Sequence, residues 1–97
     1  MSIVKSTDFE CVSASSDYID IDCYVTCVDG SEWLFRTFLD RGDGHVTDPD
    51  DQPRFAEGPE DCFEDPDPLR PCPAEVMEAY KLQYPAICAE LLRRASE

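Results

Sequence analysis

Residues Tyr18–Leu39, YIDIDCYVTCVDGSEWLFRTFL, constrain the fold more than any other stretch of the chain. Ile19, Ile21, Cys23, Val25 and Cys27 alternate with Tyr18, Asp20, Asp22, Tyr24 and Thr26. In a strand, successive side chains point to opposite faces, so this pattern makes one oily face and one face of acids and tyrosines. The turn residues Asp29-Gly30 follow, and then a second run rich in aromatic residues, Trp33 to Leu39. Together they read as a β-hairpin.

The register follows from segregating oil from charge. A two-residue loop at Asp29-Gly30 would set Glu32 and Arg36, with Leu34 and Phe38, beside the isoleucines. A three-residue loop, with Gly30 in the left-handed position of a bulged turn, sets Trp33, Phe35 and Leu39 there instead. A slip of one residue flips every side chain to the other face, so the second register wins. Its core face is Ile19, Ile21, Cys23, Val25, Trp33, Phe35 and Leu39. Its outer face is Tyr18, Asp20, Asp22, Tyr24 and Arg36, with Leu34 and Phe38 partly covered.

The remaining segments add to this hairpin. Residues Met1–Lys5 read as a frayed start or a short edge strand, and Asp8–Ser13 as a weak strand, followed by the turn composition Ser13–Asp17. That predicts a three-stranded antiparallel meander over 8–40. Across 41–72 the chain turns acidic and proline-rich, and Pro49, Pro53, Pro59, Pro66, Pro68 and Pro71 break any helix or central strand. A long connection of this kind is usually functional or disordered; of the residues that could pin it to the core, Val46, Phe55, Phe63 and Leu69, the anchors expected of a partly ordered acidic loop are Phe55 and Phe63. Over 73–97 helical spacing returns. Val76, Met77, Ala79, Tyr80 and Tyr84 form one apolar set and Ile87, Cys88, Leu91, Leu92 and Ala95 another. Pro85 between them predicts two helices or one kinked helix. The expected fold is α+β, a single domain with the helical part packed on the sheet.

Charge is the most unusual bulk property. Among 97 residues, 22 acids face 8 bases, for a net charge of −14. Such a chain is repelled by nucleic acid and by anionic membranes and is steered toward basic partners. Plain solubility is the competing explanation for the same charge. Met1–Ser6 lacks the apolar core of a secretory signal and no apolar run approaches a membrane span, so a cytoplasmic protein is expected.

Candidate chemistry is sparse. The one histidine, His45, lies between Gly44 and Val46 with no nucleophile beside it in sequence, and no Gly-x-Ser-x-Gly, phosphate loop or His-Glu-x-x-His is present. The chain is therefore read as non-enzymatic, with no cofactor. The segment Asp40–Asp51, DRGDGHVTDPDD, is oxygen-rich, but an EF-hand loop starting at Asp40 would need glycine where His45 stands. Cys23 and Cys27 lie ~13 Å apart along a strand, too far to bridge, and read as small core hydrophobes. Zinc held by Cys62 and Cys72 with Cys11 or His45 is an alternative, weakened by the absence of a Cys-x-x-Cys knuckle. A structural homo-oligomer joined through Leu34 and Phe38 is another.

The outer hairpin face offers more. Asp20 and Asp22 are ~6.7 Å apart at strand rise, about twice the ~3.4 Å step per phosphate along one DNA strand. Tyr18 and Tyr24 bracket them as interface anchors, and Asp40, Asp43, Asp48, Asp50, Asp51, Glu60, Asp61, Glu64 and Asp65 can add a second row of charge. Every alternating acidic strand has this spacing, so a merely solvated face explains it too. In YIDIDCY, DRGDGHVTDPDD and PEDCFEDPDP, and in its size, the chain resembles the small acidic inhibitor proteins of phages, including DNA-mimic anti-CRISPR proteins. The resemblance is one of character and carries no residue roles with it. It implies a non-catalytic protein that occupies a basic, nucleic-acid-binding site on a bacterial complex.

Overall fold

A computed structural model describes residues 3–47, 53–57, 63–64 and 71–96. Among the described residues, four strands, β1 (Val4–Ala14), β2 (Tyr18–Cys27), β3 (Glu32–Asp40) and β4 (Arg54–Ala56), precede one helix, α1 (Ala74–Ala95). The strands form an antiparallel sheet in the order β1-β2-β3-β4. The architecture is α+β, with α1 on one face of the sheet.

The hairpin at the centre has the register that segregates oil from charge. Val25 pairs with Trp33, Cys23 with Phe35 and Ile19 with Leu39. Cys27 and Ser31 close the turn, with the Ser31 carbonyl accepting from the Cys27 N–H at 2.8 Å. Gly30 adopts φ +93°, a left-handed conformation that costs glycine little. The Asp29 carboxylate accepts from both the N–H (3.0 Å) and the hydroxyl (2.6 Å) of Ser31, which locks the exit of the turn. Those bonds favour the charged form and hold the Asp29 carboxyl below its ordinary range.

β1 is longer than the weak strand read over Asp8–Ser13, because it pairs with β2 along nearly its whole length. Register shifts between Val4 and Ser6 and between Cys11 and Ser13 put irregularities at both ends. The second shift sets Ser13 opposite the outward Asp20, away from the side shared by Phe9 and Cys11. β4 was not expected from a proline-broken segment. It fits because it is three residues long, starts just after Pro53 and lies at the sheet edge, where proline's missing donor costs nothing. Phe55 on β4 anchors it as expected, its ring 4.7 Å from Trp33, and Val46 forms a bridge with Leu39. Leu69 and most acids of the long connection lie outside the described residues.

The helical segment is one helix, not two. Pro85 sits within it, removing one ladder donor, and packing of both halves on the same sheet holds the axis together. Val76, Tyr80, Ile87 and Leu91 are buried against Ile19, Ile21, Cys23, Val25, Phe35 and Leu39. Tyr80 is the anchor. Its ring stacks on Phe35, centroids 4.2 Å apart and planes 11° off parallel, and its hydroxyl meets that of Thr37 at 2.6 Å. Tyr84 donates to the Thr47 carbonyl at 2.7 Å, tying the helix to the chain leaving β3. Leu92, expected in the core stripe with Leu91, faces solvent and is 61 % exposed. One residue along a helix is a turn of about 100°, enough to carry it off the face that buries Ile87 and Leu91.

Two expected outcomes follow. Tyr80→Phe should destabilise the fold by about 1.5 kcal/mol by stranding the buried Thr37 hydroxyl, and adding Thr37→Val should cost less than the two single changes summed. Denaturant unfolding of the four proteins of that cycle measures both. Near the helix end, hydrogen bonds from Arg93 and then Arg94 hold the Glu90 carboxyl at about 2. With its folded value depressed, this pairing stabilises the helix above the ordinary carboxylate range of ~4.3 and is lost as pH falls toward 2. The carboxyl resonance of Glu90 should titrate near 2 and return toward ~4.3 when both arginines become glutamine.

Candidate functional site

The sheet face opposite α1 is built by the side chains that alternate away from the core. Across β1, β2 and β3 these form cross-strand rows: Glu10–Asp22–Arg36, Asp8–Tyr24–Leu34 and Ser13–Asp20–Phe38. Tyr18 sits opposite Asp40 at the end of the hairpin. Four acids, Asp8, Glu10, Asp20 and Asp22, therefore crowd the β1–β2 half of the face. Like charges directly opposite one another are unfavourable, so the row of Glu10 and Asp22 needs a counterion.

Arg36 supplies it. Its Nε donates to Asp22 Oδ1 at 3.0 Å and its Nη2 to Oδ2 at 3.3 Å, a two-point grip on a carboxylate that is only 6 % exposed. The hydrogen bond to Asp22 is the main cause that pushes the Arg36 guanidinium above its ordinary value, with burial working against it. Asp22 is therefore held inside the protein, and its geometry suits a structural ion pair better than a contact with a partner. Asp20 is half-buried, while Asp8 and Glu10 are exposed. The Asp8 carboxylate also accepts the N–H of Phe9 at 2.8 Å.

The two bracketing tyrosines differ. Tyr18 is 47 % exposed and rests edge-on against Phe38, centroids 5.9 Å apart. Tyr24 is half-buried, with the Phe63 ring 6.1 Å away. Burial first, then the Asp22 and Glu10 carboxylates, push its phenol up from its ordinary value, so it stays neutral. Leu34 is buried, which removes it from any exposed oligomer face and leaves Phe38 half-buried beside Tyr18.

Asp40 and Asp43 serve the turn that follows β3. Asp40 Oδ1 accepts from the Gly42 N–H and Asp43 Oδ1 from the His45 N–H, both at 2.8 Å. The Gly44 N–H is bound by the Asp40 carbonyl, and Gly44 takes φ +76°. Oxygen-rich sequence here builds a tight local turn. Glu64 is exposed and bridges to Phe55 through the backbone. Asp48, Asp50, Asp51, Glu60, Asp61 and Asp65 lie outside the described residues, as does Cys62. Among the described residues no three His, Cys, Asp or Glu side chains come together to hold a metal. Cys11, Cys23, Cys27, Cys72 and Cys88 are free, and burial pushes the Cys23 and Cys72 thiols up to about 12. No described helix is long and apolar enough to cross a membrane.

Asp8 and Glu10 join this face although their strand carried only a weak sequence signal. The alternation of Asp8–Ser13 gave the means to find Glu10, but the β1–β2 register that brings both beside Asp20 and Asp22 is offset by bulges. The Asp22–Arg36 pair was within reach, because the hairpin register sets them opposite one another. No protein-family model, curated protein or solved structure matches the chain. Replacing Arg36 with methionine should destabilise the fold by about 2 kcal/mol, since it leaves a buried carboxylate beside Glu10 without a counterion. Adding Asp22→Asn should restore part of the loss in chemical denaturation; no recovery would remove the ion pair as the cause.

Proposed function

We propose that the protein is a small non-catalytic inhibitor that presents the acidic sheet face to a basic surface on a nucleic-acid-binding protein complex of bacteria, in the manner of DNA-mimic anti-CRISPR proteins. The observation that carries this reading is the distribution of charge on that face. Asp8, Glu10 and Asp20 stand together, Arg36 in the row of Glu10 is held by Asp22, Arg54 lies at the far edge on β4 opposite Leu34, and the helix occupies the other side of the sheet. A rigid sheet holds carboxylates at a fixed spacing, which lowers the ordering cost of matching a groove shaped for phosphates. Tyr18, exposed against Phe38, supplies an anchoring ring at the end of the acidic rows. The net charge of −14 steers the encounter.

Affinity capture from bacterial lysate tests this, with bound material eluted by a salt gradient and separately by excess duplex DNA or RNA. The expected result is a nucleic-acid-binding complex released by both. Combined Asp8→Asn, Glu10→Gln and Asp20→Asn should abolish capture. Tyr18→Ala should weaken it more than removal of any single exposed loop acid, because rim charges mainly tune association rate. A partner that resists both eluants, or that binds the triple variant as well as the parent, would overturn the reading.

A further inference from the structure

Two of the free cysteines occupy corresponding places in the two layers of the fold. Cys27 ends β2 on the side that faces the helix, and Cys72 stands two residues ahead of α1, packed against the same apolar cluster. They are far apart in sequence, so only the fold brings them together.

The helix begins at the Cys27 end of β2. The Val28 N–H donates to the Ile3 carbonyl at 2.9 Å, and the Ile3 N–H donates to Glu75 Oε2 in the first turn of α1, also at 2.9 Å. Val4, the cross-strand partner of Cys27, lines one open groove with Glu75 and Ala79. Further along, Tyr80 is stacked on Phe35, the cross-strand partner of Cys23. From Cys23 to Cys27 the strand runs ~13 Å at ~3.3 Å per residue. From Tyr80 back to Ala74 the helix runs ~9 Å at ~1.5 Å per residue, and the extended chain ahead of it, with Pro73 at ψ 145°, covers the rest of the way to Cys72. The two runs match in length and direction, which sets Cys72 over Cys27. Electrostatics agree: burial first, and then the nearby Cys27 sulfur, push the Cys72 thiol up.

We infer that Cys27 and Cys72 are a dithiol pair that a small-molecule disulfide oxidises to a disulfide bond, stapling the start of α1 to the end of β2. The Cys72 thiolate attacks one sulfur of the reagent, and one small thiolate leaves. Cys27, once deprotonated, attacks the Cys72 sulfur of the mixed disulfide, and the second small thiolate leaves. The protein loses two electrons and two protons, and one small disulfide becomes two small thiols. Half-buried Cys72 is the residue the reagent meets, whereas Cys27 is 5 % exposed and reacts only through Cys72. Little Cys72 thiolate exists at neutral pH, so oxidation is slow there and quickens about tenfold per pH unit on the alkaline side. The bond closes a loop of roughly 45 residues, which restricts the unfolded chain far more than a folded one in which the two residues already meet. The pair lies on the helix side of the sheet, so its oxidation leaves Asp8, Glu10 and Asp20 as they are.

Incubating the full folded chain with oxidised glutathione at mildly alkaline pH, blocking the remaining thiols and mapping the linked peptides by mass spectrometry tests the pairing. The expected product has lost two hydrogens, joins the Cys27 peptide to the Cys72 peptide, and melts about 10 °C or more above the reduced chain until a reductant is added. Cys27→Ser should stop at a mixed disulfide on Cys72, and Cys72→Ser should leave Cys27 unmodified while the chain is folded. Cys88→Ser should keep both the bond and the gain in melting temperature. Because oxidised and reduced forms of the parent are compared directly, the result does not depend on a variant folding. A bond from Cys72 to any other cysteine, a Cys27–Cys72 bond that lowers the melting temperature, or mixed disulfides that never resolve would overturn the pair.

Discussion

The contact that sets the two layers of this protein in register is the Tyr80 ring flat on Phe35 with its hydroxyl on Thr37. Stacking alone would tolerate sliding of the helix along the sheet. The hydroxyl pair does not, because both oxygens are buried and each has the other as its partner within reach of a short bond. With that point fixed, Val76 and Ile87 fall on either side along the axis and Leu91 continues the seam. Tyr84 then reaches the Thr47 carbonyl, and Thr47 in turn bonds the backbone of Phe38. The anchor thus fixes the helix, and the helix fixes how the chain leaves the sheet.

The hairpin was legible from residues alone because its two faces differ so sharply in polarity. A register error would have buried Glu32 and Arg36, so only one alignment of β2 and β3 was tolerable. The outer elements were less legible for physical reasons. β1 lies at an edge, is bulged at both ends and buries only part of its side chains, so its alternation is blurred. β4 is too short for any pattern. Helix continuity across Pro85 depends on packing, which local propensity does not contain. Leu92 misled because apolar residues recur on both sides of α1, and spacing alone cannot say which side meets the sheet.

The candidate site was legible in composition but not in roles. Tyr18, Asp20, Asp22 and Tyr24 do share a face, as their alternation required. Their environments then divide them. Asp22 and Arg36 neutralise each other, Phe63 approaches Tyr24, and Asp40 and Asp43 cap a turn. What is left on this face is exposed Asp8, Glu10 and Tyr18 with half-buried Asp20, a narrower group than the sequence outlined. Most of the second acidic row lies beyond the described residues.

The edge formed by β1 has one more consequence. An unprotected strand of this length would offer a ladder of donors and acceptors to any other chain in the extended state. Here the ladder is interrupted by irregularities near Val4 and Ser13, and between them the Phe9 N–H is taken by the Asp8 carboxylate of its own strand. A second strand pairing along β1 would have to displace a negative charge and match two irregularities of register. The Asp8 carboxylate that colours the outer face thus also works against another chain adding to the sheet along β1.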